Sequence, residues 1–528
     1  MQNKSRGNLK GIGVALALCV GCIALASCNN VHKLTREHIE PEALLSVTPA
    51  DSFLKAHLNG GHLVLFDSWA LDTVDREVRG SGVELDYNRD TVGTGVMAVH
   101  LDSVAIFETN VVQRSPTMAT LGVLTGITAA VAVLCATSPK TCFGSCPTFY
   151  VPEGDSLSLR AEGFSSSIAP SLEKSDVDRL EPVGILGDTL TITMTNEALE
   201  THVVRHADLL AVPKMITDEQ SPQDIRIFQG HAGDFYQAMS MQAPVSCDAP
   251  EGDCLELMAT YDGNERSSLA DSTSLASKEW IKLQFDELPA GDAGLVLGMR
   301  QSLMSTFLLY QALAYMGEDV GHWIAQLERS GLQEADPMHH LLKEVAELEV
   351  YIEQNGERVK VGGISEYGPL VTDEHIIRLP ALEDESLNVW LHLNKGFWRL
   401  DYIALAGISE ALPHVRIQPV ATSYKGTPDA EALENLLDPS SSLVTLPGDR
   451  YEISYELGAQ PERYAYFLES RGYYLEWIRQ EWLADQDPAK VRQMFLNPSA
   501  TMKELAPAFK AIEPVMEEAF WNSRFATN

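Results

Sequence analysis

The sequence predicts a multidomain protein of mainly β class with α segments: a small N-terminal β-barrel-like module, two β-sandwiches, a helical linker between them and a helical C-terminus. Three observations lead there. The chain has 528 residues, too many for one hydrophobic core. Short segments in which apolar and polar residues alternate, broken by Gly, Pro, Asn and Asp, recur over most of its length. Helical spacing is confined to an apolar stretch at 117–140, to the region near residues 301–345 and to the C-terminal region.

The elements follow in chain order. The first ten residues, MQNKSRGNLK, carry Lys4, Arg6 and Lys10 and no acid, and an apolar run of export-signal length comes next. Leu25-Ala26-Ser27-Cys28 closes it. This motif resembles the lipobox of bacterial lipoproteins. The resemblance implies cleavage before Cys28, lipidation of its thiol (palmitate among the acyl groups) and a mature chain anchored to a membrane of the bacterial cell envelope, at the outer membrane or periplasmic face. Acyl chains contribute about 0.8 kcal/mol per buried CH2, so the protein needs no further membrane segment for anchoring.

Residues 29–116 form the expected small β module. "GGHLVLFDSW", "GSGVELDYN" and "GTGVMAVHLDSVAIFETN" read as strands of a small barrel or curled sheet, similar to the Sm-like and other small barrels of envelope proteins. Residues 117–140 are expected as an apolar helix. Within them "TMATLGVLTGITAAVAVLCA" has no charge and is long enough to span a bilayer. Gly122, Gly126 and Ala130 recur every fourth residue, a ridge that permits close helix approach in lipid or in a protein core. A crossing would leave the later cysteines in the cytoplasm. A docked helix or a hairpin resting on the membrane is therefore the preferred reading, with a membrane-embedded assembly subunit as an alternative.

Sandwich 1 is expected over 141–295, the helical linker over 296–345, sandwich 2 over 346–456 and the helical region over 457–528. The run SCPTFYVPEGDSLSLRAEGFSSSIAPSLE resembles a segment of uncharacterised bacterial envelope proteins, a resemblance that implies no chemistry. "DTLTITMTNEALETHVVRHADLLAVPK" and "ESLNVWLHLNKGFWRLDYIALAGI" look like two versions of one pattern: an alternating strand ending at Asn196 or Asn394, a short break and a second apolar strand. Such paired strands resemble those of galactose-binding-like, jelly-roll-like sandwiches, where ligands, often sugars, lie on edge loops or a concave face. The spacing of Phe467, Tyr474 and Trp477 predicts a helix from Glu462 onward, with interruptions at Pro507 and Pro514.

Composition excludes some functions. With 39 basic against 74 acidic residues the net charge is −35, which repels phosphate backbones and excludes nucleic acid as a partner. Of the eight cysteines, Cys247 and Cys254 flank a Pro-Gly loop and are expected to pair, with Cys142 and Cys146 as a second candidate pair. No phosphate loop, HExxH, nucleophile elbow or calcium-loop spacing occurs, so no cofactor is implied. His202 and His206 are a weak metal candidate. In a strand they stand roughly 13 Å apart, too far for one ion, and a polar face is the preferred reading. Trp390, Trp398 and Tyr402 gather in the expected second sandwich as candidate ligand-binding residues, since aromatic rings stack on sugars. The sequence therefore points to a lipid-anchored envelope protein that binds or organises, its partner a glycan or an envelope protein. The alternative is a glycan-active enzyme with a cleft in a sandwich.

Overall fold

Five sheets, antiparallel except where Ile227–Gln229 runs parallel to Asp373–Arg378, are built from strands of two to fourteen residues and account for most of the chain in the computed structural model. The structure describes residues 32–114, 146–320 and 345–523, less short stretches within them of which the longest is 45–53. The lipobox, the apolar stretch 117–136 and Cys142 lie outside the described residues. Among the described residues no helix is long and apolar enough to cross a membrane. The chain divides into two compact units, Met1–Leu85 with Thr91–Val123, and Asp86–Asp90 with Leu124–Asn528.

The first unit carries sheet I, six strands in the order His32–Ile39, Val104–Arg114, Leu54–Leu58, Leu63–Asp72, Glu77–Leu85, Thr91–His100. All neighbours are antiparallel. Leu54, Ala56, Val64, Phe66, Val78 and Phe107 form its core. Bulges between Phe66 and Ser68 and between His57 and Leu58 bend the strands, as a curled sheet requires. Gly80 and Gly82 are needed where the backbones close in: a Cβ at either would lie 2.0 Å from Ser68 O or 2.1 Å from Leu65 O.

Two sandwiches make up the second unit, and one is nested inside the other. Sheet II (Thr148–Glu153, Ser156–Glu162, Thr189–Thr195, Ala421–Tyr424, Thr427–Pro428, Arg450–Glu456) faces sheet III (Lys174–Arg179, Glu200–Pro213, Val415–Ile417, Tyr464–Glu476, with Leu443–Thr445 on its flank). Phe149, Leu190, Ile192 and Ile453 of sheet II and Val204, Leu209, Tyr466 and Leu468 of sheet III fill the space between. Sheet IV (Ile227–Gln229, Phe235–Gln242, Arg266–Ser267, Ala293–Gln301, Asp373–Arg378, Trp398–Ile408) faces sheet V (Ser246–Ala249, Gly252–Asp253, Lys278–Phe285, Leu348–Gln354, Glu357–Ile364, Leu387–Asn394). Leu295, Leu297, Ile403 and Leu405 meet Ile281, Leu283, Val350 and Leu391 there. The inner sandwich thus lies wholly within 227–408 and interrupts the outer one, whose halves rejoin when Thr189–Thr195 pairs with Arg450–Glu456. Strand pairing divides the chain differently from the expected segments 141–295 and 346–456, each of which supplies strands to both sandwiches.

The two Asn-terminated patterns do share one structure. Thr189–Thr195 and Glu200–Pro213 lie in opposite sheets of the outer sandwich, and Leu387–Asn394 and Trp398–Ile408 in opposite sheets of the inner one. Each break is a corner between layers, and buried Asn196 holds its corner by donating from Nδ2 to Glu200 O and Thr445 O.

The C-terminal region corrects one expectation. Tyr464–Glu476 is a thirteen-residue strand at the centre of sheet III, in place of the expected helix, and helices Pro488–Leu496 and Pro498–Ser523 follow further along the chain. Tyr466 and Leu468 face the outer core while Ala465 and Phe467 pack with Ile225, Ile227 and Phe235 on the other side. A strand buried on both faces loses its polar alternation, and its aromatic run then imitates helical spacing. Helices Pro488–Leu496 and Pro498–Ser523 pack with Met304–Met316 against the inner sandwich, Phe307 meeting Phe509 at 5.2 Å. The last helix runs through Pro507 and Pro514, both on its exposed side, where a carbonyl that a proline ring leaves unbonded costs least.

Candidate functional site

The outer face of sheet V is built by simple alternation. Along Lys278–Phe285 the side chains of Glu279, Ile281, Leu283 and Phe285 turn inward and those of Lys278, Trp280, Lys282 and Gln284 outward. Leu387–Asn394 buries Leu387, Val389, Leu391 and Leu393 and presents Asn388, Trp390 and His392. Leu348–Gln354 presents Glu349, Tyr351 and Glu353. Registers Trp280↔His392↔Glu349 and Lys282↔Trp390↔Tyr351↔Lys360 lay these side chains in adjacent rows across four strands.

The rows form one aromatic and cationic cluster. Trp280 stacks on His392 with ring centroids 4.2 Å apart and meets Trp390 edge-on at 6.3 Å and Tyr351 at 5.3 Å. Arg358, an exposed residue on the edge strand Glu357–Ile364, lays its guanidinium carbon 3.7 Å from the Trp390 ring centre and 4.6 Å from that of Trp280. Lys282 Nζ stands 5.5 Å from the same Trp390 ring. The Trp390 Nε1–H has no hydrogen-bond partner among the described residues. Two half-buried tryptophans with cations over their faces are anchors for a ligand that presents both apolar ring faces and polar groups.

Electrostatics fixes the single acid in the middle of this face. Glu349 accepts from Lys360 Nζ at 2.7 Å and from His392 Nδ1 at 2.8 Å. Partial burial alone would raise its pKa, but the Lys360 and His392 hydrogen bonds and the charges of Lys360 and Lys278 outweigh it and bring it to about 2. Glu349 is therefore a permanent carboxylate. It orients His392 and Lys360 and cannot deliver a proton near neutral pH.

Of the three aromatic residues expected to act together, only Trp390 belongs to this face. Trp398 is 1% exposed in the inner core, because Trp398–Ile408 lies in sheet IV and turns it toward sheet V. A bulge between Gly298 and Met299 shifts the register and carries Tyr402 to the opposite side of sheet IV, where Arg226 covers it at 5.6 Å. Proximity in sequence grouped three residues that parity and the bulge assign to three surroundings. Trp280, Tyr351, His392, Lys282 and Arg358 were missed, although Trp280 and Trp390 both occupy the polar slot of an alternating strand, a signal that marks a solvent-facing aromatic.

The other expected sites have distinct fates. His202 and His206 stand on Glu200–Pro213, and a bulge between Val204 and His206 reverses the alternation between them. His202 consequently turns into the core, 0% exposed, with Nε2 2.7 Å from Glu200 Oε1, while His206 faces away toward Glu469 at 3.9 Å. Burial pushes His202 down to about 3, so it is neutral. The pair cannot share an ion, and among the described residues no group of three or more His, Cys, Asp or Glu could hold a metal. Cys247 and Cys254 form a disulfide with Cα atoms 5.1 Å apart, closing the Asp248–Asp253 hairpin. Cys146 is a free buried thiol that donates to Glu162 Oε1 at 3.0 Å, which corrects its expected pairing with Cys142.

Glu162 belongs to a second group of charges, at the edge of the outer sandwich. It is 3% exposed and also accepts from Leu370 N at 2.8 Å; burial pushes its pKa up to about 7. Burial, and then the charges of Asp176 and Asp373, hold Asp178 well above the carboxylate range, and Asp373 is raised by burial and by Asp176 and Glu162. Glu162 has the proton affinity of a general acid, but it is sealed from any substrate. A cleft of about 170 Å3 between Ser267–Leu269 and the last helix has Glu513 as its one lining carboxylate among the described residues.

No protein-family model matches the sequence, and no match is found among curated proteins. Solved structures are similar only at a distance. Allantoicase aligns at TM-score 0.18 and 8% identity, over 53% of this chain and 98% of its own. BuGH86 in complex with neoagarooctaose aligns at TM-score 0.14 and 10% identity, over 48% of this chain and 35% of its own. A cycloalternan-forming enzyme from Listeria monocytogenes, in complex with a pentasaccharide substrate, aligns at TM-score 0.15 and 11% identity, over 66% of this chain and 30% of its own. This chain thus spans about a third of the last two. At such scores these likenesses carry no argument about ligand or chemistry.

Proposed function

We propose that this is an exported, lipid-anchored protein of a bacterial cell envelope that binds a glycan on the outer face of sheet V and acts by binding or organising rather than by catalysis. The observation that carries the reading is the cluster of Trp280, Trp390 and Tyr351 with Arg358 and Lys282 on an open sheet face. Aromatic faces bind the C–H side of a sugar ring, and the Asn388, Gln284 and His392 side chains around them supply hydrogen bonds for hydroxyls. A fixed carboxylate at Glu349, which cannot deliver a proton near neutral pH, argues for binding over hydrolysis. Anchoring rests on Leu25-Ala26-Ser27-Cys28 and the charged and apolar segments before it.

Two measurements test the two halves. Palmitate labelling of cells producing the full chain is expected to mark the protein and to fail for Cys28→Ser; equal labelling of both would remove the anchor. Affinity electrophoresis of the full chain in gels containing soluble polysaccharides is expected to show retardation that Trp390→Ala and Trp280→Ala abolish. Migration unaffected by every polysaccharide, or retardation unaltered in both variants, would remove the binding face.

A further inference from the structure

The chain carries 35 more negative than positive charges, yet the centre of this one face is cationic. Arg358 stands opposite Glu353 in the strand pair, but its guanidinium leaves that carboxylate and lies over two indoles. Among the described residues no carboxylate forms an ion pair with Arg358 or Lys282, whereas Lys360 is held by both Glu347 and Glu349. The two unpaired cations sit over the same ring, Trp390.

We infer that the glycan bound here is anionic, a polyuronate whose ring carboxylates are taken by Arg358 and Lys282. The inference rests on the glycan-binding reading of this face and specifies the class of sugar. Two like charges brought onto one ring repel each other, and a bound anion between them relieves that repulsion. Stacking on indole holds the guanidinium plane in place without using its N–H groups, which stay free for the bidentate geometry that a carboxylate offers. In a uronate the equatorial carboxylate lies near the plane of the pyranose ring. A sugar resting on the Trp280 and Tyr351 side of the cluster therefore presents its carboxylate edge to a cation resting on the neighbouring Trp390. A neutral sugar would leave both cations uncompensated. The acidic remainder of the protein repels polyanions, so capture depends on this one patch.

The test compares a polyuronate with its neutral ester and with a sulfated glucan. Polygalacturonate, its fully methyl-esterified form and dextran sulfate are titrated into the full chain, extracted in mild detergent, with tryptophan fluorescence or calorimetry as readout. Polygalacturonate is expected to bind at least about tenfold more tightly than the methyl ester, with affinity falling as salt rises from about 20 mM to about 0.5 M. R358A and K282A, both on the surface, are each expected to remove most of that preference while circular dichroism stays unchanged, and R358K to restore it only partly. Equal binding of the acid and the ester, unaltered in R358A and K282A, would overturn the anionic inference and leave the glycan-binding reading standing. Binding of dextran sulfate in preference to polygalacturonate would also overturn it. Binding of none of the three, and of no neutral polysaccharide, would overturn both.

Discussion

The outer face of sheet V and the sealed edge of the outer sandwich concentrate charge in opposite ways. On sheet V the charged groups are exposed or half-buried, the cations are stacked on aromatic rings, and the central acid, Glu349, is held ionised by its neighbours. At the edge, Glu162 and Asp178 are buried with Asp373 half-buried beside them, and the charged form of each is disfavoured. Charge that water and a ligand can reach is available for recognition. Charge sealed inside acts only on stability, through its coupling to protons.

The largest expected effect lies at the sealed edge. The Glu162 pKa rises from 4.5 to about 7 on folding, an upper limit of roughly 3 kcal/mol at about 1.4 kcal/mol per unit. For a group whose folded pKa is raised, this stability is present below the unfolded pKa and is lost as pH increases through the folded one. Urea denaturation is therefore expected to show stability falling between about pH 5 and pH 8, with a smaller slope in Glu162→Gln. A rise over that range would break the comparison.

A covalent link in the inner sandwich comes next. Cys247→Ser is expected to lower stability by roughly 2 kcal/mol in the same assay, from the short loop that the Cys247–Cys254 bridge closes. Because the hairpin sits at the far side of sheet V from Glu357–Ile364, glycan affinity is expected to be unchanged. Trp390→Ala is expected to weaken polysaccharide binding by about tenfold with little change in the pH dependence of unfolding. The smallest effect is at Glu349. Its lowered pKa gives stability that is present above about pH 4.5 and lost as pH falls toward 2, and Glu349→Gln is expected to flatten that acid limb by about 1 kcal/mol.

Much of the mainly β architecture was legible because half-buried strands alternate; Lys278–Phe285 and Leu387–Asn394 can be read residue by residue. The corners at Asn196 and Asn394 also left a shared trace. Tyr464–Glu476 was not legible as a strand, since burial on both faces erased its pattern. Nor was the nesting, because Thr189–Thr195 meets Arg450–Glu456 across more than half the second unit and alternation carries no pairing information. The bulges between Val204 and His206 and between Gly298 and Met299 were equally silent, and they decided that His202 and His206 part company and that Tyr402 leaves the aromatic face. The site was half readable: Trp390 came from its chemistry, Trp280 was available from parity, and Arg358 required knowing which strand lies at the edge.

The central claim is that recognition belongs to the exposed face and stability to the sealed edge, and hydrogen–deuterium exchange of the full chain with and without polygalacturonate tests it most directly. Protection on ligand addition is expected within 278–284, 349–360 and 388–392, with exchange around Glu162, Asp176 and Asp373 unchanged. Protection at that edge with none on sheet V would contradict the account.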